Sequence, residues 1–161
     1  MSFTSEFEFE NELELEFPPP LKSQQLVEYK SSPGGFMARV SGFDDGSLTS
    51  PDPAVVRLQS AAIERIAQEV AARTRAGWCV EVVVTGHADP RNDPKPQGPI
   101  SAERARVIAN RIRARTSGIS GVRGITPSGV GARDPLWPST AHSQRALNRR
   151  VEVMILQILC A

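Results

Sequence analysis

Two stretches of helical periodicity bracket a valine-rich run, and that succession limits the possible folds more than any other feature. Val55, Leu58, Ala62, Ile66 and Val70 recur at three- and four-residue intervals across residues 53–75. This is the pattern of an amphipathic helix with one buried stripe. Asp52 suits the N-cap and Pro53 the first helical position, while Arg73, Arg75 and Gly77 suit the C-terminal end. Residues 79–85 follow, rich in valine and bounded by glycine, and predict a central strand. The dense Val82, Val83, Val84 run predicts burial on both of its faces. A polar loop containing Pro90, Pro94, Pro96 and Pro99 comes next. Ser101 is then predicted to cap a second helix with Ala105, Ile108, Ala109 and Ile112 as its buried stripe, ending near Gly118. Its small alanines permit close approach to a sheet.

Strands are also predicted at residues 36–41, 122–126 and 150–159. In the last, Val151, Val153 and Ile155 share one face while Met154, Leu156 and Ile158 share the other, which predicts an interior strand. A helical turn is predicted at 142–147. The order is β-α-β-α-β-β, an α/β (α+β) arrangement whose economical packing is a mixed four-stranded sheet with helices on one face. Residues 36–161 form the predicted domain. Residues 1–35 read as an acidic tail and a Pro/Gly-rich linker. Cys79 and Cys160 lie in apolar runs and are too few for a disulfide scaffold, so buried free thiols are expected.

Charge is unevenly spread. Residues 1–20 hold six glutamates and no Lys or Arg, so all 19 basic residues and 12 of the 18 acidic ones lie beyond them. In residues 6–17, Phe7, Phe9, Leu13, Leu15 and Phe17 alternate with glutamates. The period is that of a strand, but glutamate is a poor strand former and like charges on one face repel. The segment reads as a detachable tail, open to a protein partner or a secretion apparatus. Nothing approaches the length of about 20 apolar residues needed for a membrane-spanning helix. The N-terminus has neither the basic nor the apolar region of a classical signal peptide. Arg104, Arg106, Arg111, Arg113 and Arg115 line the second predicted helix, but few aromatics and no nucleic-acid motif accompany them, so no nucleic-acid partner is expected. No phosphate-binding loop, His-Glu-x-x-His or Gly-x-Ser-x-Gly pattern occurs, and no cofactor, metal or catalytic group is expected. A metal set of His87, Asp89 and His142 is the alternative to this expectation. Trp78 and Trp137 read as packing residues.

The loop within 82–108 carries the most chemistry. Arg104, placed near the predicted helix start, would oppose the helix dipole at a cost of about 0.3–1 kcal/mol. An anion there would offset that cost and would also face the helix amides. The planar guanidinium suits a carboxylate, and Asp89 at the strand end can accept hydrogen bonds from an ammonium. The two could clamp a ligand bearing both groups, or they could form an internal salt bridge that ties loop to helix.

The motifs in this region resemble the OmpA-like (OmpA/MotB) C-terminal peptidoglycan-binding domain. That pattern has a strand ending Gly-His-Thr-Asp, then Leu-Ser-x-x-Arg-Ala-x-x-Val on a helix. Here stand Gly86-His87-Ala88-Asp89 and, at the family spacing, Ile100-Ser101-Ala102-Glu103-Arg104-Ala105-Arg106-Val107-Ile108. Asp89 and Arg104 are fifteen residues apart, as the pattern requires. Gly129, Gly131 and Pro135 match a later feature, and Asn148-Arg149-Arg150-Val151 matches the closing one. The resemblance covers about residues 36–159 and implies a non-catalytic domain that binds peptidoglycan through the diaminopimelate of its stem peptide. It implies that Asp89 takes the ligand's ammonium and Arg104 its carboxylate. Amides at Ile100 and Ser101 would add donors, and Arg149 would line or brace the pocket. Gln97 stands where the family has a loop Asn, and Ala88 replaces its Thr. The implied setting is the Gram-negative cell envelope, periplasmic or at the outer membrane, or else extracellular, with the module anchoring or targeting an assembly to the wall. An OmpA-like interaction module that has lost its ligand is the alternative.

Overall fold

A computed structural model describes residues 23–43, 48–90, 97–138 and 142–161. In chain order the elements are α1 (Ser23–Leu26), β1 (Val27–Ser32), β2 (Gly35–Ser41), α2 (Pro53–Arg75), β3 (Cys79–Gly86), α3 (Gln97–Thr116), β4 (Val122–Gly129), α4 (His142–Asn148) and β5 (Arg150–Ile158). The strands form one mixed sheet in the order β1-β2-β5-β3-β4. Only β3 and β4 run parallel; the other neighbours are antiparallel.

The α+β class stands, but the sheet has five strands. The reading of residues 18–35 as linker missed β1, which pairs with β2 from Val27 opposite Val40 to Ser32 opposite Gly35. Val27 is its one buried residue, so it lacks the alternation that marks a half-buried strand. The acidic run of residues 6–17 lies outside the described residues.

α2 follows its sequence signals closely. The Ala54 amide donates to Asp52 Oδ1 at 2.9 Å, Pro53 opens the helix, and Gly77 takes a positive φ of 100° just beyond its end. Ile63, Ile66 and Val70 of α2 and Ala105, Ile108, Ala109 and Ile112 of α3 pack on one face of the sheet. There they meet Phe36 and Ala38 of β2, Val80, Val82 and Val84 of β3, and Val151, Val153 and Ile155 of β5. Each of these strands contributes alternate residues, as the pleat requires.

Among the described residues, no helix packs on the opposite face in this way. Met154 and Leu156 are exposed on β5, and Val83 is only half-buried. The expectation of two-sided burial for β3 and β5 is therefore wrong. Among the described residues, the apolar side chains on the second face form no second core like that of the first.

The cysteines are not free. Cys79 opens β3 and Cys160 follows β5, and the antiparallel register sets Cys79 opposite Ile158. Two residues on, Cys160 reaches back to form a disulfide with Cys79, at a Cα–Cα distance of 5.1 Å. Each cysteine read as a core residue within its own segment, but their meeting depends on the sheet register. No helix among the described residues is long and apolar enough to cross a membrane.

Candidate functional site

Asp89 and Arg104 lie at one end of the sheet, on consecutive parts of the β3-loop-α3 unit. Both are fully shielded from solvent. Arg104 Nη1 donates to the His87 carbonyl at 3.1 Å, and its guanidinium carbon sits 5.6 Å from the centroid of the Phe43 ring. A backbone acceptor on one side and an aromatic face on the other fix the cation at the base of the turn carrying Asp89.

Arg104 does not oppose the helix dipole as expected. α3 begins at Gln97, four residues earlier than predicted, with Pro99 in its first turn, where a missing amide costs little. Arg104 therefore lies beyond the first turn, where the dipole effect has faded. Ser101 is inside the helix rather than its cap, so its amide belongs to the helical ladder. Its hydroxyl instead donates to the Gly98 carbonyl at 2.7 Å and accepts from the Gly131 amide at 2.9 Å, tying α3 to the end of β4. Ile100 is in the first turn and partly buried, and the Gln97 side chain lies outside the described residues.

Arg149 is buried beside this unit, and its Nε donates to the Phe43 carbonyl. It thus holds the residue whose ring lies beneath Arg104. Asn148 was not singled out, although it stands in the same motif. It is fully buried, and its Nδ2 donates to Asp89 Oδ1 at 3.0 Å and to the Trp137 carbonyl at 2.9 Å. Its Oδ1 accepts from the amides of Leu136 and Trp137 at 2.9 and 3.0 Å. One amide side chain therefore fixes Asp89 to the 134–138 loop. Trp137 is exposed, and its backbone rather than its ring does the local work.

Behind the turn, the His87 amide donates to the Arg150 carbonyl and the Ala88 amide to Gly131. His87 Nε2 lies 3.2 Å from Glu152 Oε2, which also accepts from Arg150 Nε at 2.8 Å. Of the metal alternative, His87 faces Glu152 and Asp89 takes Asn148; the His142 side chain is outside the described residues.

The hydrogen bond from His87, aided by the charge of Arg150, lowers the Glu152 carboxyl from 4.5 to about 2 against the opposing effect of burial. A depressed carboxyl stabilises the fold above its unfolded pKa, and that contribution disappears as pH falls through the folded value. With Glu152 about one-third exposed and partly screened, about 1–2 kcal/mol should be lost between about pH 4.5 and 2. Melting curves across that range should show Glu152→Gln losing less stability on acidification than the parent. Equal acid losses would contradict the assignment.

No family profile matches the sequence, and no curated protein does. Solved structures do match. The T6SS cell wall anchor of Pseudomonas aeruginosa aligns with a TM-score of 0.61 at 23% identity, over 83% of this chain and 90% of that one. For the periplasmic domain of Helicobacter pylori MotB the values are 0.59 and 18%, over 81% and 82% of the two chains. The peptidoglycan-associated lipoprotein of Burkholderia pseudomallei gives 0.54 and 16%, over 76% and 89%. The chain has the fold of the OmpA-like and MotB periplasmic domains.

Proposed function

We propose that this domain binds peptidoglycan non-covalently through diaminopimelate in the stem peptide, as a binding module rather than an enzyme, and so anchors or targets an assembly to the cell wall. The observation that carries this reading is the Asp89–Arg104 constellation, in which two opposite charges are shielded from water at one end of the sheet. Sequestering charge is costly unless partners are supplied. The fold commits Asn148, Arg149, Phe43 and the His87 carbonyl to holding the two groups in place. A zwitterionic amino-acid end, with its ammonium to Asp89 and its carboxylate to Arg104, matches that pair in charge. Arg149 acts as the brace, and the first turn around Ile100 supplies an amide. The structural neighbours named above, one a cell wall anchor and one a peptidoglycan-associated lipoprotein, support the same reading.

The Cys79–Cys160 bond supports a place in the cell envelope, because disulfides persist in oxidising compartments. The acidic residues 1–20 remain the candidate contact for a protein partner or a secretion apparatus. A second reading has one observation in its favour. Full burial of both charges also suits an interaction module in which Asp89 and Arg104 serve only the fold.

Calorimetric titration with a diaminopimelate stem peptide separates the two. Saturable heat is expected. Asp89→Asn keeps the side-chain volume and an oxygen for Asn148 but removes the charge. Loss of one charge-assisted hydrogen bond should weaken binding about 10- to 150-fold. No heat from the parent protein at about 1 mM peptide would leave the structural reading standing.

A further inference from the structure

We infer that a cleft at the far end of the sheet from Asp89 is a second, independent binding site, which takes a small ligand joining an oxyanion, a carboxylate or a phosphate, to a flat ring. The cleft lies where α2 ends and where β3 and β4 begin. It has a volume of about 590 Å³ and is lined by Arg75, Trp78, Ile119, Arg123 and the Cys79–Cys160 disulfide. That volume suits a small ligand. Small and hydroxyl-bearing residues complete the lining, and no acidic side chain among the described residues takes part in it.

The charge of the cleft points to an anion. Arg75 is the last residue of α2 and Arg123 the second of β4. Both are exposed, and neither has an ion pair or a hydrogen bond among the described residues. Neighbouring arginines are engaged: Arg73 holds Glu69 at 3.1 Å, and Arg115 holds Glu64. The helix ends do not account for the free pair. The carbonyls of Ala72, Arg73 and Thr74 already accept from the amides of Ala76, Trp78 and Gly77, and that of Thr116 accepts from Ile119. Arg123 stands on a strand and has no helix end to serve. Two uncompensated cations lining one cleft without an acid raise its positive potential. The guanidinium fork matches the paired oxygens of a carboxylate or a phosphate.

Trp78 points to the ring. It reads as a packing residue in the sequence, yet 38% of it is exposed. The backbone around it is fixed. Its amide donates to the Arg73 carbonyl, and the Val80 amide donates to the Gly121 carbonyl at 2.9 Å. Gly121 lies so close that a Cβ there would sit 2.7 Å from Thr74 Cγ2 and 3.2 Å from the Trp78 carbonyl oxygen. These contacts hold the start of β4, and with it Arg123, against the turn that carries Trp78. An exposed indole offers a face on which a flat ring stacks. A bare anion would leave that face uncovered, and a neutral ring would leave both arginines unpaired.

The test uses the full chain labelled with heavy nitrogen, whose two tryptophans give two indole N–H signals, assigned with Trp137→Phe. The measurement is made at low salt and about pH 7, where a carboxylate is fully ionised. Naphthoate or naphthyl phosphate should move the Trp78 signal saturably and leave the Trp137 signal in place, and the tighter of the two identifies the oxyanion. Neutral naphthamide should bind about tenfold more weakly for want of a charge-assisted hydrogen bond. Acetate and inorganic phosphate, which lack the ring, should lose about tenfold or more. Arg75→Gln and Arg123→Gln, both at exposed positions, should each weaken binding of the tighter probe about three- to tenfold, with melting temperature and stem-peptide affinity unchanged. No saturable movement of the Trp78 signal at about 10 mM probe would overturn the proposal. So would equal affinity for naphthamide, or full affinity in both arginine variants. Equal movement of both indole signals would also overturn it, because the probe would then be meeting exposed tryptophan rather than this cleft.

Discussion

Replacing Gly86 with alanine is expected to destabilise the domain by about 3 kcal/mol or more and to disable the site with it. α3 crosses the end of β3 so closely that a Cβ on Gly86 would lie 1.8 Å from the Ser101 carbonyl oxygen and 3.2 Å from the Ala105 amide nitrogen. These obstacles are backbone atoms, so no rotamer change relieves them. Gly129 stands opposite Gly86 in the parallel ladder and meets the same helix, where a Cβ would lie 2.3 Å from the Ala102 amide nitrogen. The two glycines together form the bed on which α3 lies. A shifted α3 carries Arg104 away from the His87 carbonyl, so melting temperature and stem-peptide affinity should fall together. The melting temperature should drop by roughly 10 °C. Gly124→Ala, in the same strand pair but with open space around it, serves as the control and should change stability by less than about 1 kcal/mol. A Gly86→Ala protein that melts with the parent would show that the helix contact is not rigid.

The elements best read from sequence were those that carry their own local signals. α2 has an N-cap, an initial proline, one apolar stripe and a terminal glycine, and all four act as local chemistry requires. β1 carried no such signal, because an edge strand with one buried residue is specified by its neighbour rather than by its own pattern. Ser101 misled for a related reason. Serine after a proline-rich loop resembles a cap, but its hydroxyl is committed to Gly98 and Gly131, and the helix starts at Gln97. The apolar second face of β5 also read as core, since sequence shows hydrophobicity and not which faces receive a cover.

The candidate site divides in the same way. Its charged groups were legible because an acid and a base at a fixed spacing are unusual on either side of a polar loop. The supports were less so. Asn148 lies 59 residues from Asp89, and Arg149 lies 106 from Phe43. Such contacts follow from β5 passing between β2 and β3, a topology that local periodicity does not reveal. Arg104 does not sit where a helix dipole would penalise it, yet two specific contacts hold it. Its spacing from Asp89, rather than its place in the helix, is what marks it in the sequence.

Reduction of the Cys79–Cys160 bond should produce the other large effect, and it should leave the site untouched. The bond spans 81 residues of sequence. Closing a loop of that size restricts the unfolded chain by about 4.5 kcal/mol on the chain-entropy estimate, toward the upper end of the usual range. A loss of that size lowers the melting temperature of a domain this large by roughly 10–20 °C. Cys160 is exposed, so a soluble reductant can reach the bond in the folded protein. The disulfide closes the sheet where β3 begins, whereas Asp89 follows the other end of that strand. Eight residues of β3 separate the two ends, roughly 25 Å of extended chain. Stem-peptide affinity measured well below the lowered melting point should therefore match that of the oxidised protein. Cys160→Ser should reproduce the loss without reductant, since an exposed hydroxyl there leaves no cavity. An unchanged melting temperature on reduction would refute the stabilising role. Affinity lost at temperatures where the reduced protein remains folded would show that the two ends of the sheet are coupled, which the rigid strand pairing between them argues against.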